Sequence, residues 1–290
     1  MRLEKTTVKK KKSMWRETAR RTMKSPTAKA GVFLFAFIIL VCVLAPVLSK
    51  YDPNEMDYAM ISVGPCSEHW FGTDTLGRDI FARILYGGRI SLFLGFSASI
   101  VGNGVGIILG CLAGYFGKGV ETSIMRFLDV LSSLPDMLLC ILISATLGTG
   151  TFNTILALAV SAIPNGTRMI RGQILGERGK EYLEAAESIN CKKRVIMFNH
   201  LLPNVISPMI VVITMGIGSM ITQAAALSFI GLGVQPPTAE WGAMLSAGRN
   251  YIRSFPHMIM LPGIAIALTV LAINLMGDGL RDALDPKLRK

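Results

Sequence analysis

The side chains that could do chemistry crowd into one stretch, EYLEAAESINCKKRVIMFNHLLPN, from Glu181 to Asn204. Glu181, Glu184 and Glu187 lie within a few residues of Lys192, Lys193, Arg194 and His200. Carboxylates and an imidazole at such spacing suit either acid–base work or ion pairing with a partner. Catalysis needs more than this. No Ser-His-Asp or Cys-His arrangement appears, and no paired carboxylates fall on a plausible pocket. The nearest fragment to a phosphate-binding loop is Gly117-Lys118. Gly119 stands where Ser or Thr is needed, and Leu112 where the first Gly belongs. The expectation is therefore no catalytic residue, no enzyme activity and no cofactor bound by this chain. The five cysteines, Cys42, Cys66, Cys111, Cys140 and Cys191, show neither paired nor metal-ligand spacing, so no disulfide and no metal site is expected. His69 and His257 are isolated from further ligands and do not change that expectation.

The elements that must position this charged stretch are long and apolar. The chain has 290 residues, 51% of them hydrophobic, and a net charge of +11. Uninterrupted apolar runs of about 18 or more residues read as membrane spans, because the hydrocarbon core is about 30 Å thick and a helix rises about 1.5 Å per residue. Lys and Arg gather at the ends of these runs, as topology signals do, which points to a lipid bilayer and away from nucleic acid. The fold class expected is all-α, a polytopic membrane protein with about six transmembrane helices. The spans fall at 30–49, 90–116, 124–148, 152–170, 204–233 and 258–280. The third is interrupted in its first half by Arg126, Asp129, Pro135 and Asp136, so its start is either embedded or an amphipathic surface helix. The fifth is longer than a straight crossing needs, and Pro208, Gly216 and Gly218 predict tilt or a bend. The first apolar run lacks a small-residue cleavage site and reads as a retained span. Residues 1–29 form a basic tail, including the run Lys9–Lys12, and 30–290 one membrane domain. That domain carries a loop at 171–203 and two more at 50–89 and 234–257. No internal repeat appears.

Within the 171–203 loop, Tyr182, Leu183, Ala186 and Ile189 fall near helical spacing. Val195, Ile196, Phe198 and Leu201 make a second short pattern. Pro203 is expected to end it, since proline disfavours the helical state of the residue before it. Two short amphipathic helices at an angle make a knob. Small residues at 185 and 186 permit close approach to a partner, and the Glu184 carboxylate could meet a basic residue there. An ordinary solvated, salt-bridged loop fits the same pattern.

Glu184-Ala185-Ala186, with Ile196, His200 and Pro203 downstream, resembles the EAA loop of ABC transporter permeases. Asn190 stands where that motif has Gly. Gly there suits a left-handed helix end, and Asn is the next most tolerant residue in that conformation. Three further segments resemble the second permease type of the dipeptide/oligopeptide (peptide/nickel) branch: Phe71 to Asp79 (FGTDTLGRD), Ala225 to Pro237 (AALSFIGLGVQPP) and Gly277 to Pro286 (GDGLRDALDP). The resemblance covers the chain from about residue 30. It implies an importer subunit in a bacterial or archaeal cell (inner) membrane. The implied partners are a homologous second permease subunit, two ATPase subunits that hold ATP and Mg, and an extracytoplasmic solute-binding protein. It implies alternating access driven by those ATPases, with Glu184, Ala185, Ala186, Asn190, Ile196, His200 and Pro203 forming the ATPase-coupling loop. Dipeptides or oligopeptides are the substrates it implies first, with nickel or a metal chelate as the alternative. An ion-driven secondary transporter would show inverted repeats and deep ionisable residues with clear partners, and neither is present in the sequence.

Polar residues inside spans are costly and often functional. Asn103, Asn165, Gln223 and Asn274 either face a water-filled translocation path or serve as interhelical hydrogen-bond glue. Asp129 and Asp136, near a span end, fit an interfacial or inter-subunit salt bridge better than a proton relay. Gly102, Gly104, Gly106 and Gly110 predict close helix packing.

The positive-inside rule sets the orientation. With the N-terminus inside, 24 of the 30 basic residues are internal, and only Lys50, Arg78, Arg83, Arg89, Arg249 and Arg253 are external. Both termini are then cytoplasmic and the 50–89 loop external. In intact cells, a membrane-impermeant thiol reagent should modify a cysteine placed at Ser67 and spare one placed at Ser13. The reverse labelling pattern would overturn this topology.

Overall fold

The computed structural model describes Arg20 and residues 22–284, so the Lys9–Lys12 run and the end of the 277–286 segment lie outside the described residues. Every long element among them is a helix. α1 spans Pro26–Val43, with Pro26 in its first turn, where a missing N–H costs nothing. α2 spans Ile80–Phe116 and α3 Lys118–Leu131. α4 spans Asp136–Leu147, α5 Thr151–Glu177 and α6 Glu181–Ser188. α7 spans Leu202–Phe229, α8 Trp241–Gly248 and α9 His257–Leu284. Four described helical runs are long and apolar enough to cross a membrane: α1, α2, the continuous run Lys193–Phe229 and α9. The bent pair α3–α4 makes a fifth if it is one span. α5 occupies the remaining expected span. It has 27 residues, but Asn153, Asn165 and Arg168 make it more polar than the others.

Three boundaries differ from the sequence expectation. α2 begins at Ile80, not at residue 90. The Asp79 carboxylate caps it by accepting from Ala82 N at 2.6 Å, and Ile80, Ala82 and Leu85 of its first turns are buried. Arg83 and Arg89 therefore lie on a helix and not in the loop. Arg89 donates from Nε to the Cys42 carbonyl at 2.7 Å and from Nη2 to the Val43 carbonyl at 2.8 Å. It thus closes the C-terminal end of α1, where carbonyls lack helical partners. The expected third span is broken at residues 132–135, and α3 and α4 meet at 81°. Pro135 accounts for the break, because the residue before a proline is pushed out of the helical region. α3 is amphipathic, with Leu128 buried and Phe127 and Val130 exposed.

Pro203 gives the third difference. It does not end a helix but lies in the first turn of α7. The chain enters through Lys193–Val195 and a π turn at Ile196–Leu201. The Leu202 N–H bonds the Met197 carbonyl, five residues back. The missing N–H of Pro203 falls at this change of register, so the helix continues.

α2 and α5 form the most extensive helix pair in the bundle. Gly102, Gly106, Gly110 and Gly114 repeat every four residues along one face of α2. A Cβ built on Gly102 would lie 2.5 Å from the Ala159 carbonyl oxygen, and one on Gly110 would lie 2.8 Å from Ile170. A Cβ on Gly106 would meet the Gly166–Thr167 backbone at 3.1 Å, and one on Gly114 would meet Ile174 at 2.9 Å. Gly104, on another face, has nothing within 4 Å. The small residues let the two backbones approach closely, as helix pairs in lipid require where no hydrophobic drive joins apolar faces.

α8 is held down by a fully buried carboxylate. Glu240 accepts from Gly242 N at 2.9 Å, from Ala243 N at 2.8 Å and from Ser91 Oγ of α2 at 2.9 Å. Trp241 Nε1 donates to the Ile84 carbonyl at 3.0 Å. Phe33, Phe37 and Leu40 along α1 are exposed, as a lipid-facing surface requires.

The seam makes a direct expectation. Gly102→Ala should lower the thermal unfolding midpoint of the purified chain through overpacking, a cost of about 1–3 kcal/mol. Gly104→Ala should be neutral or slightly stabilising, since Ala favours a helix over Gly by roughly 0.5–1 kcal/mol. Equal effects at the two positions would contradict the close α2–α5 contact.

Candidate coupling site

α6 lies between the end of α5 and the start of the α7 run, on the opposite end of the bundle from α8. The chain leaves α5 at Glu177 and turns through Gly179 at φ 86°. Glu177 accepts from Lys180 Nζ at 2.5 Å and from Tyr182 Oη at 2.9 Å. The Lys180 hydrogen bond, helped by that of Tyr182, holds the Glu177 carboxyl below its ordinary range, against the opposing effect of burial. These contacts tie the start of α6 to the end of α5.

The apolar positions of α6 divide into two sets. Leu183 and Ala186 are buried and Tyr182 is half-buried. They join one apolar cluster with Ile170 and Ile174 of α5, Cys111 of α2, Ile196, Met197 and Leu201 of the π segment, and Val205 and Met209 of α7, and α6 meets that cluster chiefly through the π segment. Ile189, expected on the same face, is instead 78% exposed, and Phe198 is exposed too. Asn190 explains the change. It sits at φ 55°, the left-handed conformation expected at the position where the motif has Gly. The Cys191 N–H bonds the Ala186 carbonyl at 3.1 Å, which closes the helix end with a Schellman-type bond. The reversal at Asn190 turns the chain after Ile189 back toward the bundle, leaving Ile189 outside.

Of the motif residues, Glu184, Ala185 and Pro203 are exposed, Ala186 and Ile196 are buried, and His200 is half-buried. His200 bonds through its carbonyl, which accepts from Asn204 Nδ2 at 2.7 Å. Ala186 and Ile196 thus anchor the segment, and Glu184 and Ala185 form its outer edge. Glu184 also borders an open crevice with Arg178, Lys193, Tyr115 and Phe116. Lys193 Nζ lies 6.0 Å above the Phe116 ring.

Two ion pairs brace α5 above this segment. Arg171 donates to Glu121 of α3, with Nε at 2.7 Å. Arg168 Nη2 lies 3.0 Å from Asp129 Oδ1, also of α3. The salt bridge expected for Asp129 is therefore formed within the chain. Asp136 is exposed in the first turn of α4. Sequence reasoning did not single out Met197, Ile174, Glu121 or Arg171. The first two are ordinary apolar residues whose role appears only when three helices meet, and the Glu121–Arg171 pair spans 50 residues.

The four span-borne amides are not brought together. Asn103 is buried, donates to the Ser99 carbonyl at 2.9 Å, and lies against Gly166 of α5. Its hydrogen bonds stay within α2 and join no second helix. Gln223 is half-buried with Oε1 3.8 Å from Cys140 Sγ. Asn165 and Asn274 are exposed on α5 and α9. His69 Nδ1 lies 2.8 Å from Asp79 Oδ2, while His257 Nε2 is buried without a hydrogen-bond partner. Among the described residues no group of three His, Cys, Asp or Glu is placed to hold a metal ion, and all five cysteines are free.

Comparisons with known proteins agree with this arrangement. Residues 106–290 match the family described as binding-protein-dependent transport system inner membrane component. Residues 13–65 match the N-terminal TM domain of oligopeptide transport permease C. The chain is 42% identical over 277 residues to the dipeptide transport system permease protein DppC of Alkalihalophilus pseudofirmus, covering 96% of this chain and 91% of that one. It is 45% identical over 276 residues to the glutathione transport system permease protein GsiD of Pectobacterium atrosepticum, covering 95% and 92%. The fold is similar to a chain of the MetNI methionine ABC transporter in an inward-facing conformation. The TM-score is 0.57 at 18% identity, with 70% of this chain and 96% of that one covered. The helical bundle, the anchored α6 segment and the family match converge on one conclusion: this chain is a multi-pass membrane permease of the binding-protein-dependent ABC importer family, in its peptide/nickel branch.

Proposed function

We propose that the chain imports short peptides by alternating access, with α6 as the lever through which partner ATPases move it. The single observation that supports this most is the two-sidedness of α6: Leu183 and Ala186 are buried in the bundle, while Glu184, Ala185 and Ile189 are exposed. A helix anchored on one side and presenting a small, charged edge on the other suits docking into a groove. In this reading the partners are a homologous second permease, two ATPases that bind ATP and Mg, and an extracytoplasmic solute-binding protein. Both termini and α6 are cytoplasmic, and the α8 end is external. The peptide substrate rests on the relatives named above, one for dipeptides and one for glutathione, itself a short peptide-like solute.

The mechanism follows from the anchoring. When ATP closes the ATPase pair, α6 is displaced. Its buried side chains pull on α5 and on the π segment that leads into α7. Arg171 and Arg168 pass the displacement of α5 to α3 through Glu121 and Asp129. The helices rock as a packed unit, because a close-packed interior switches between arrangements and does not flow. Preferential binding of ATP to the closed ATPase pair supplies the bias.

Glu184 tests the docking role. Truncating one partner of a desolvated charge pair costs about 2–5 kcal/mol, whereas a rim charge costs little. Glu184→Lys should abolish uptake and substrate-stimulated ATP hydrolysis in the reconstituted importer, more severely than Glu184→Ala. Membrane insertion and the ligand affinity of the binding protein should stay normal, since the residue is exposed and makes no anchoring contact. Normal coupling in Glu184→Lys would refute the docking role.

A further inference from the structure

The open crevice beside α6 joins an apolar lining to unpaired cations. Its volume is about 350 Å³, within the range of small-ligand sites. Leu183, Ile196 and Leu201, all buried, line it together with Tyr115 and Phe116 at the end of α2. Arg178 and Lys193 bring it two positive charges, and Glu184 one negative charge. Among the described residues none of these three forms an ion pair.

The carboxylates nearest to it are engaged elsewhere. The Arg178 guanidinium reaches the end of α2: a Cβ built on Gly117 would lie 3.3 Å from its Nη1. Glu121 Oε2 lies 3.8 Å from that same point, but Glu121 is bound by Arg171. Glu177 is bound by Lys180 and Tyr182. Lys118, exposed just beyond α2, adds a further cation. The crevice therefore carries a net positive charge on side chains whose donors are open to a ligand.

An apolar track leads to it along α2. Val101, Val105, Ile108 and Phe116 are exposed, with half-buried Leu112 between the last two. Steps of three and four residues keep them on one helix face, away from the glycine face that meets α5. From Val105 to Phe116 the track runs about 16 Å at 1.5 Å per residue, one leaflet of a core about 30 Å thick. It ends in aromatic rings and then in cations. A phospholipid presents the matching order: an acyl chain, an interfacial region where aromatic rings settle, and a phosphate that basic residues attract. An acidic protein side chain would use the cations and leave the track idle.

We propose that the crevice holds the phosphate of an anionic phospholipid from the leaflet at the α6 end, with Arg178 and Lys193 as donors and the α2 track as the bed of one acyl chain. Guanidinium nitrogens fit two phosphate oxygens in a bidentate manner, and the Lys193 ammonium acts as a point charge. The single excess charge of the lining matches a monoanionic headgroup. Bound there, the lipid bridges the end of α2 and α6. This site requires membrane insertion alone and does not rest on the importer reading.

The test uses the full chain with the subunits that purify alongside it, in mild detergent with equal amounts of phosphatidylglycerol and phosphatidylcholine. Native mass spectrometry counts the lipids retained. Phosphatidylglycerol should be favoured about tenfold, given the attraction that each basic residue adds toward an anionic lipid. Arg178→Gln combined with Lys193→Gln should lose that preference. Lys192→Gln combined with Arg194→Gln removes the same charge from exposed neighbours that do not line the crevice, and should keep it. A second readout removes no charge, which keeps the test valid if the charge variants do not fold. Phe116→Trp adds a fluorophore at the crevice, and phosphatidylglycerol with brominated chains should quench its emission more strongly than brominated phosphatidylcholine. Inorganic phosphate, which has no chain for the track, should not displace the lipid. Equal retention in all three proteins, equal loss in both double variants, equal quenching by the two lipids, or displacement by phosphate would each overturn the proposal. Unchanged retention with weaker co-purification of the partner subunits would assign the cations to protein docking and overturn it as well.

Discussion

The close approach of α2 and α5 is the constraint on which both ends of the molecule depend. α2 is 37 residues long, about 55 Å at 1.5 Å per residue, and so reaches well beyond a bilayer core of about 30 Å. Its glycine face sets the distance to α5 by letting backbone meet backbone. At the far end of the seam Gly114 lies against Ile174, and Ile174 belongs to the apolar cluster under α6. At the near end Ser91 and Ile84 hold Glu240 and Trp241, and with them α8. One helix pair thus links α6 at one end of the bundle to α8 at the other.

The two ends use different physics for the same purpose. Under α6 the anchoring is apolar and continuous, with Leu183 and Ala186 part of a cluster that runs through the π segment to α2, α5 and α7. Such packing transmits displacement without a specific polar pathway. At the α8 end the anchoring is polar and local. The Asp79, Asp74 and Glu240 carboxylates each gather backbone N–H groups that would otherwise be unpaired. This is what burial of polar groups demands.

Much of this was legible in the sequence because the membrane restricts the choices. Apolar runs had to be helices, since lipid offers backbone groups no other partners. Asn190 could be read as a left-handed helix end because it stands where the resembling motif has Gly and Asn tolerates that conformation next best, and it sits at φ 55°. Features that depend on distant partners were not legible. Arg83 and Arg89 look like loop charges until Asp74 and the α1 carbonyls are placed beside them. Pro203 reads as a stop signal because proline usually is one, and only the π turn before it shows how the helix continues. Ile189 fits the buried face by spacing alone, yet the reversal after it puts it outside. Gly102, Gly106 and Gly110 pack as their spacing predicts, and Gly104 does not, because a four-residue repeat selects one face and leaves the intervening glycine on another.

The central claim is that α6, the end of α5 and the start of α7 move as one body. Paired spin labels at Ala185 and Gln173, both exposed, would measure the first of these distances in the reconstituted importer with and without ATP. A second pair, at Ala185 and its counterpart in the partner permease, would report whether the subunits move at all. The account predicts an unchanged distance distribution within the chain while the distance between subunits shifts. A change or broadening of the Ala185–Gln173 distance on ATP binding would show that α6 moves independently of the bundle and would contradict it.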